Sequence, residues 1–366
     1  MKITVATTTI NVPVLLESYV SAAKTFIQKS NNEVSFVVAG DRKTPQEAKI
    51  LCEKLSNSSG VEVEYLTPEN QLELFQSKSA FTSILKWDCI QRRNFAGLRA
   101  LEKKADIVIY IDDDNFITDT NYFDEHHDSF VKSPVRSQKS SNGFLNIMRH
   151  ATGDGISNRI YPRGFPFNLR DTSPEIIEEN KSSKIAANAG LWIEEADIDA
   201  VTRIASRPDI KNYDLQENIS LNISTWSPLN SQNTAFLSKF LCGYFLSSEV
   251  GRYDDIYASY VFQKLINHFD YTSSYGKPIV TQHRNEHDLL VDLNSELSGM
   301  RNVDTIIDFI RNLPADGVTP MEYMKNLLDN WEFAMLKIEK NHPAVTDLRN
   351  LLIGYKIWID VLRQIR

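Results

Sequence analysis

Three consecutive aspartates, Asp112, Asp113 and Asp114, stand directly behind the apolar run DIVIYI at 106–111. Carboxylates this close repel one another unless a cation sits among them, and a divalent ion such as Mn²⁺ or Mg²⁺ takes oxygen ligands from one or two of them together with phosphate oxygens. A solvated acidic turn is the plain alternative, and the position at a strand end favours the ion. In YPRGFPFNLRD at 161–171, Arg163 and Arg170 flank an aromatic, proline-containing turn. Two guanidiniums near one site suit a diphosphate, or the charge that grows on it as a bond to it breaks; ordinary surface salt bridges are the other reading. GRYDDIYASY at 251–260 opens a helical pattern with Asp254 and Asp255. Such a pair either caps the helix or binds a substrate hydroxyl and acts as a general base. His283 follows the β-like run PIVTQ and is a candidate further metal ligand, in competition with His126, His127 and His287.

Residues so far apart in sequence need a scaffold that gathers them. Up to residue 111 the chain alternates β-rich and helical runs: KITVATTTI (2–10), a helix near 14–29, EVSFVVAGD (33–41), a helix near 45–55, VEVEYL, a long helical run from Trp87 to Lys104, and DIVIYI. That alternation predicts an α/β fold with crossover helices on a mainly parallel sheet, whose ligands bind at the carboxyl ends of the strands. Three such ends carry polar clusters: Thr7 to Thr9, Gly40 with Asp41, and Asp112 to Asp114. No GxGxxG follows the first strand, which argues against a flavin or nicotinamide cofactor. Residues 115–290 are irregular, with short candidate strands at GFLNIM and AGLWIE, and from Asn302 onward the apolar residues fall at helical spacing. The expected division is a sheet domain over 1–295 and a helical region over 296–366.

A chain of 366 residues with 42% hydrophobic content can bury a sizeable core. Its net charge of −8 argues against a general nucleic-acid binder, which needs a cationic face. Three widely spaced cysteines suggest neither a disulfide framework nor a cysteine zinc site. The first twenty residues break any signal-peptide core with polar side chains, and no stretch approaches the roughly 18–20 apolar residues of a membrane span. A soluble, cytoplasmic protein is expected, with peripheral attachment to a membrane left open.

Taken in order, IDDDNF (111–116), RGFPFNLRD (163–171), AGLWIEEADIDA (189–200), NTAF (233–236), GRYDD (251–255) and, more loosely, QHRNEHDLLVDL (282–293) resemble the reversibly glycosylated polypeptide family of plants. Members of that family include UDP-arabinopyranose mutases with a glycosyltransferase A-type fold. The resemblance spans roughly residues 1–295 and marks a distant member. It implies a mixed sheet flanked by helices, Mn²⁺ or Mg²⁺ on Asp112, Asp113 and Asp114, and nucleotide-sugar contacts at Thr7, Thr8, Asp41, Asp112 and Asn233. Arg163 takes the place of the family's reversibly glycosylated arginine, and Arg170 that of a second functional arginine. Phe165, Asn115 and Ala189 depart from the plant pattern, which usually has tyrosine, cysteine and histidine there. The implied reaction is cleavage of the sugar–diphosphate bond of a UDP-sugar, with the sugar recaptured in another ring form or passed to a glycan acceptor. A third possibility is a non-catalytic scaffold that meets another subunit or a membrane surface through the helical face of Leu352, Trp358 and Leu362, giving an oligomer; packing of that face on its own domain is the favoured alternative.

Overall fold

The computed structural model describes residues 1–366 except 75–78, 133–135, 182, 216, 283–287, 340 and 366. The first half comprises β1 (Lys2–Thr9), α1 (Leu16–Lys29), β2 (Glu33–Gly40), α2 (Gln46–Ser59), β3 (Glu62–Leu66), α3 (Pro68–Leu74), α4 (Ser79–Ile84), α5 (Arg93–Glu102), β4 (Ile107–Ile111), β5 (Asn115–Ile117), α6 (Tyr122–Val131), β6 (Arg136–Ser140) and β7 (Ala151–Asp154). It continues through β8 (Ile176–Asn180), β9 (Lys184–Glu194), α7 (Ala200–Ser206), β10 (Asp209–Tyr213), β11 (Ile219–Leu221), β12 (Asn233–Leu237), α8 (Asp254–His268), β13 (Tyr271–Gln282), α9 (Leu289–Asn312), α10 (Pro320–Met335) and α11 (Val345–Arg363).

Among the described residues the sheet runs β3-β2-β1-β4-β12-β9-β13-β11-β6-β8. The segment β3-β2-β1-β4 is parallel, as the alternating sequence predicts, and every residue of β4 is buried, as expected for a strand covered on both faces. Beyond β4 the sheet turns mixed: β12 enters antiparallel to both β4 and β9, and β13 returns parallel to β9. Parallel register sets Thr9 opposite Gly40, and antiparallel register sets Asn233 opposite Ile111. The polar strand ends therefore collect along one edge of the sheet.

Helix α1 buries Leu16, Tyr19, Val20, Ala23 and Phe26, an i, i+3, i+4 stripe that lays one face on the core. The helical run expected from Trp87 to Lys104 is shorter, a 3-10 turn at Ile90–Arg92 leading into α5. Asp88 has a φ of 55°, outside helical space, and the Trp87 ring is covered by the Arg42 and Arg92 guanidiniums. The strand expected at GFLNIM is reduced to one bridge from Phe144 to Trp226, because Asn146 caps a 3-10 turn over Ile147–His150 with its side chain. AGLWIE does form strand, as the end of β9.

The C-terminal region is helical, and it begins at Leu289, so the division expected at 295/296 falls inside α9. Thr319 and Glu322 form a capping box ahead of Pro320, which starts α10. On α11, Trp358 packs against Phe81 and Phe245 and donates its indole N–H to the Leu241 carbonyl at 3.2 Å. Tyr355 donates to the Gly243 carbonyl at 3.0 Å. Leu352, Trp358 and Leu362 are all buried in the hydrophobic cluster that also holds the sheet residues. That helical face packs on the chain's own core, the reading favoured over contact with a subunit or a membrane. Among the described residues no helix is long and apolar enough to cross a membrane.

Candidate functional site

Two adjoining cavities open at the carboxyl edge of β1 and β4. The larger, about 310 Å³, is lined by Asp112, Asp114, Arg163, Arg252, Asp254 and Asp255 among others. The smaller, about 260 Å³, shares Asp112 and Asp114 and adds Thr8, Thr9, Arg93 and Asp113.

The walls are joined by a chain of charge-assisted hydrogen bonds. Arg93, at the start of α5, is 1% exposed and pairs with Asp112 through Nη2, while Nη1 donates to the hydroxyl of Ser231 at 2.7 Å. Ser231 donates its backbone N–H to Asp255 at 3.3 Å. Asp255 is clasped by Arg163, at 3.0 Å from Nη1 and 3.2 Å from Nη2. Arg163 in turn grips Asp197, at 2.9 Å from Nε and 2.8 Å from Nη2, and its Nη1 also donates to the Arg252 carbonyl. Asp197 accepts a further bond from Asn230 at 3.0 Å. Glycine at 164 makes this approach feasible, because φ there is +84° and a Cβ would collide with the Ile256 side chain on α8.

Asp254 and Asp255 open α8, where the helix dipole favours carboxylates, yet burial wins and raises both above the ordinary aspartate range. Their surroundings differ. Asp255 has Arg163 and a backbone N–H to stabilise its charge, whereas Asp254 accepts from the neutral Gln91 amide at 2.8 Å and lies beside the Asp255 charge. Arg163 is raised well above the usual value by Asp197 and Asp255, which outweigh its burial. It stays a cation.

The structure separates the residues expected at the site. Asp112 and Asp114 line both cavities and Asp113 the smaller, with Thr9 donating to Asp113 at 2.6 Å and Gln282 to Asp114 at 3.3 Å. Thr8 lines the smaller cavity, with its hydroxyl committed to the Ala39 carbonyl at 2.9 Å. Thr7 lies behind it, donating to the Ile111 carbonyl at 2.9 Å. Asp41 is 2% exposed and accepts the backbone N–H groups of Arg42 and Cys89, so it shapes the loop between β2 and α2 and lines neither cavity. Asn233 is a core tie: it accepts from Tyr122 at 2.7 Å, lies 3.2 Å from the neutral His126, and donates to the Gly190 carbonyl at 2.9 Å. Arg170 also lies off the cavities, paired with Asp199 at 2.9 Å and stacked 3.7 Å over Phe167. His283 lies outside the described residues.

Gln91, Arg93, Asp197, Ser231 and Arg252 are site residues that the sequence reading did not single out. Asp197 and Arg252 lie within the motifs AGLWIEEADIDA and GRYDD, and that placement is the signal the sequence carries for them. Nothing local marked Gln91, Arg93 or Ser231, since their partners lie 163, 19 and 24 residues away.

The cleft lies at the strand ends of a mixed α/β sheet, the place where sheets of this kind receive small ligands, and it is lined by carboxylates and arginines. The chain belongs to the reversibly glycosylated polypeptide family, whose sequence profile matches residues 51–359. The match runs through the C-terminal helices and leaves out the first fifty residues, whereas the motif resemblance spans roughly 1–295. UDP-arabinopyranose mutase 1 of Oryza sativa subsp. japonica is 26% identical over 222 residues, 57% of this chain and 55% of the rice protein. The chain therefore spans little more than half the length of that relative. A probable UDP-arabinopyranose mutase 1 of Solanum tuberosum is 25% identical over 272 residues, 70% of this chain and 67% of its own. Among solved structures, glucosyl-3-phosphoglycerate synthase from Mycobacterium tuberculosis in complex with Mn²⁺ and UDP-glucose superposes with a TM-score of 0.43 at 11% identity, covering 83% of this chain and 78% of that one. Likeness at that level transfers no residue of the site.

Proposed function

We propose that this chain is a metal-dependent enzyme of glycosyltransferase A type that binds a UDP-sugar across the two cavities, breaks the bond between sugar and diphosphate, and returns the sugar in the other ring form. The observation that carries the reading is the shared cavity wall, in which the buried pair Asp254 and Asp255 faces Asp112 and Asp114. Membership of a family with relatives named UDP-arabinopyranose mutase supplies the substrate class.

The oxygen-only donor set suits a hard divalent cation. None of the described residues forms a group of three or more His, Cys, Asp or Glu able to hold a metal unaided, and Asp112 is already paired with Arg93. One or two of Asp112, Asp113 and Asp114 would hold Mn²⁺ or Mg²⁺ with phosphate oxygens completing its shell, as such ions prefer. When bound, the ion supplies charge neutralisation at the diphosphate.

The chain's own groups divide the remaining work. Exchange of a pyranose for a furanose moves one proton from the hydroxyl that closes the new ring to the old ring oxygen, with no net redox change. Asp254, raised toward the protonated form and, among the described residues, without a cationic partner at hydrogen-bond distance, is the group to pass it. Asp255 stays a carboxylate under Arg163 and favours the positive charge that builds on the sugar as the bond breaks. Arg163 serves as the fixed counter-ion of this wall. Its five N–H groups are matched by five hydrogen bonds, leaving none for a diphosphate and no lone pair for a sugar carbon. Intact mass is accordingly expected to stay unchanged after incubation with UDP-arabinopyranose, and a pentose adduct on Arg163 would reverse that assignment.

Incubation of the purified chain with UDP-arabinopyranose, with Mn²⁺ and with EDTA, tests the whole reading. A furanose isomer formed only with the ion is expected. Free UDP with the sugar on another molecule would establish a transferase instead, and neither product across a panel of UDP-sugars would end the proposal.

A further inference from the structure

The geometry points to Arg252 as the residue that receives the anionic diphosphate of the substrate, in place of Arg163 and Arg170. The inference rests on the nucleotide-sugar reading above and deepens it by naming the cation that holds the phosphate end.

Four arginines compete for this role. Arg93 lines the smaller cavity, but it is 1% exposed and its Nη groups are spent on Asp112 and Ser231. Arg170 lines neither cavity and is held by Asp199 and two aromatic rings. Arg163 lines the larger cavity, but its side chain is 7% exposed and every donor is engaged by protein oxygens. Arg252 lines the same cavity, and its side chain is 34% exposed. Its guanidinium is anchored on one side by α9, with Nη1 3.2 Å from Asp292 and Nε 3.4 Å from Glu296. Among the described residues Nη2 has no hydrogen-bond partner, and Nε is buried without one, its approach to Glu296 being an ion pair alone. A guanidinium held at one edge with unspent donors at the other is preorganised for a second anion.

The backbone explains the placement. Gly251 has a φ of +62°, which turns the chain sharply into the 3-10 turn Gly251–Tyr253 just before α8. The Arg252 carbonyl is committed to Arg163, while its side chain reaches Asp292 and Glu296 on α9 and lines the cavity. Asp112, Asp114, Asp254 and Asp255 all line this cavity, and the Arg163 charge is neutralised by two carboxylates. Arg163 and Arg252 each face two carboxylates, so exposure and unspent donors separate them: among the described residues lining this cavity, Arg252 is the arginine that has donors to give.

The test compares wild type with Arg252→Gln and Arg252→Lys by calorimetric titration, using UDP, uridine and inorganic pyrophosphate, each with Mn²⁺. Thermal unfolding checks that each variant is folded. UDP and pyrophosphate are expected to bind Arg252→Gln roughly ten- to a hundredfold more weakly, with uridine unchanged and Arg252→Lys partly restored. Equal UDP affinity in wild type and Arg252→Gln overturns the inference. A wild type that ignores UDP but binds pyrophosphate through Arg252 sinks the nucleotide-sugar reading alone, and one that binds neither sinks both.

Discussion

Arg163→Met is expected to cost about 3–5 kcal/mol of folding stability, because it strands two carboxylates in the interior. Asp197 and Asp255 are 3% and 4% exposed, and both are held bidentately by this one side chain. Methionine fills the volume and leaves the charges unmatched, so the folded state must either keep them at a high desolvation cost or take up protons. Arg163→Lys retains a charge but reaches one carboxylate at a time, and an intermediate loss is expected. Urea unfolding at neutral pH measures the difference. A loss below about 1 kcal/mol for methionine would mean that the cluster is hydrated in solution and that the counter-ion role is wrong.

Asp254→Asn is expected to lower turnover about 10²- to 10⁴-fold while leaving UDP affinity near the wild-type value, since it removes a proton carrier and keeps the shape. The same substitution has an opposite effect on stability. In the folded protein Asp254 titrates above its unfolded value, because burial and the Asp255 charge disfavour its ionised form. Between the two values the folded state binds more protons, so stability falls as pH rises through that window and the loss is complete above the folded value. Asparagine removes that slope and is expected to gain roughly 1–3 kcal/mol at alkaline pH, with no gain at acid pH below both values. Paired thermal unfolding and isomerase assays across pH read both effects. Retained turnover in Asp254→Asn would move the proton transfer to another group.

Much of the scaffold was written in local pattern. The strands at 2–9, 33–40 and 107–111 are apolar runs bounded by polar residues, and their parallel pairing follows from the helices between them. The acidic run after β4 was legible as a strand-end cluster for the same reason, and Asp112 and Asp114 do face both cavities. Asn233 shows the limit of that method. It lies in a segment that resembles the family and at the edge position opposite Ile111, yet its amide is consumed by Tyr122, His126 and Gly190. Position in a motif says nothing of whether a polar side chain faces the core or the ligand; on a strand a single step of register decides it.

By itself, then, the sequence determined the α/β alternation, the helical C-terminal region and the identity of the charged segments that meet at the sheet edge. Only the tertiary structure decided what those charges do. Arginine carries the same five donors whether they are spent on buried carboxylates or kept for a phosphate, and the partners of Arg163 lie 34 and 92 residues away. Which guanidinium is consumed and which is left over depends on the packing of α8 against the RGF loop and of α9 against Arg252, a long-range contact pattern that no local spacing encodes.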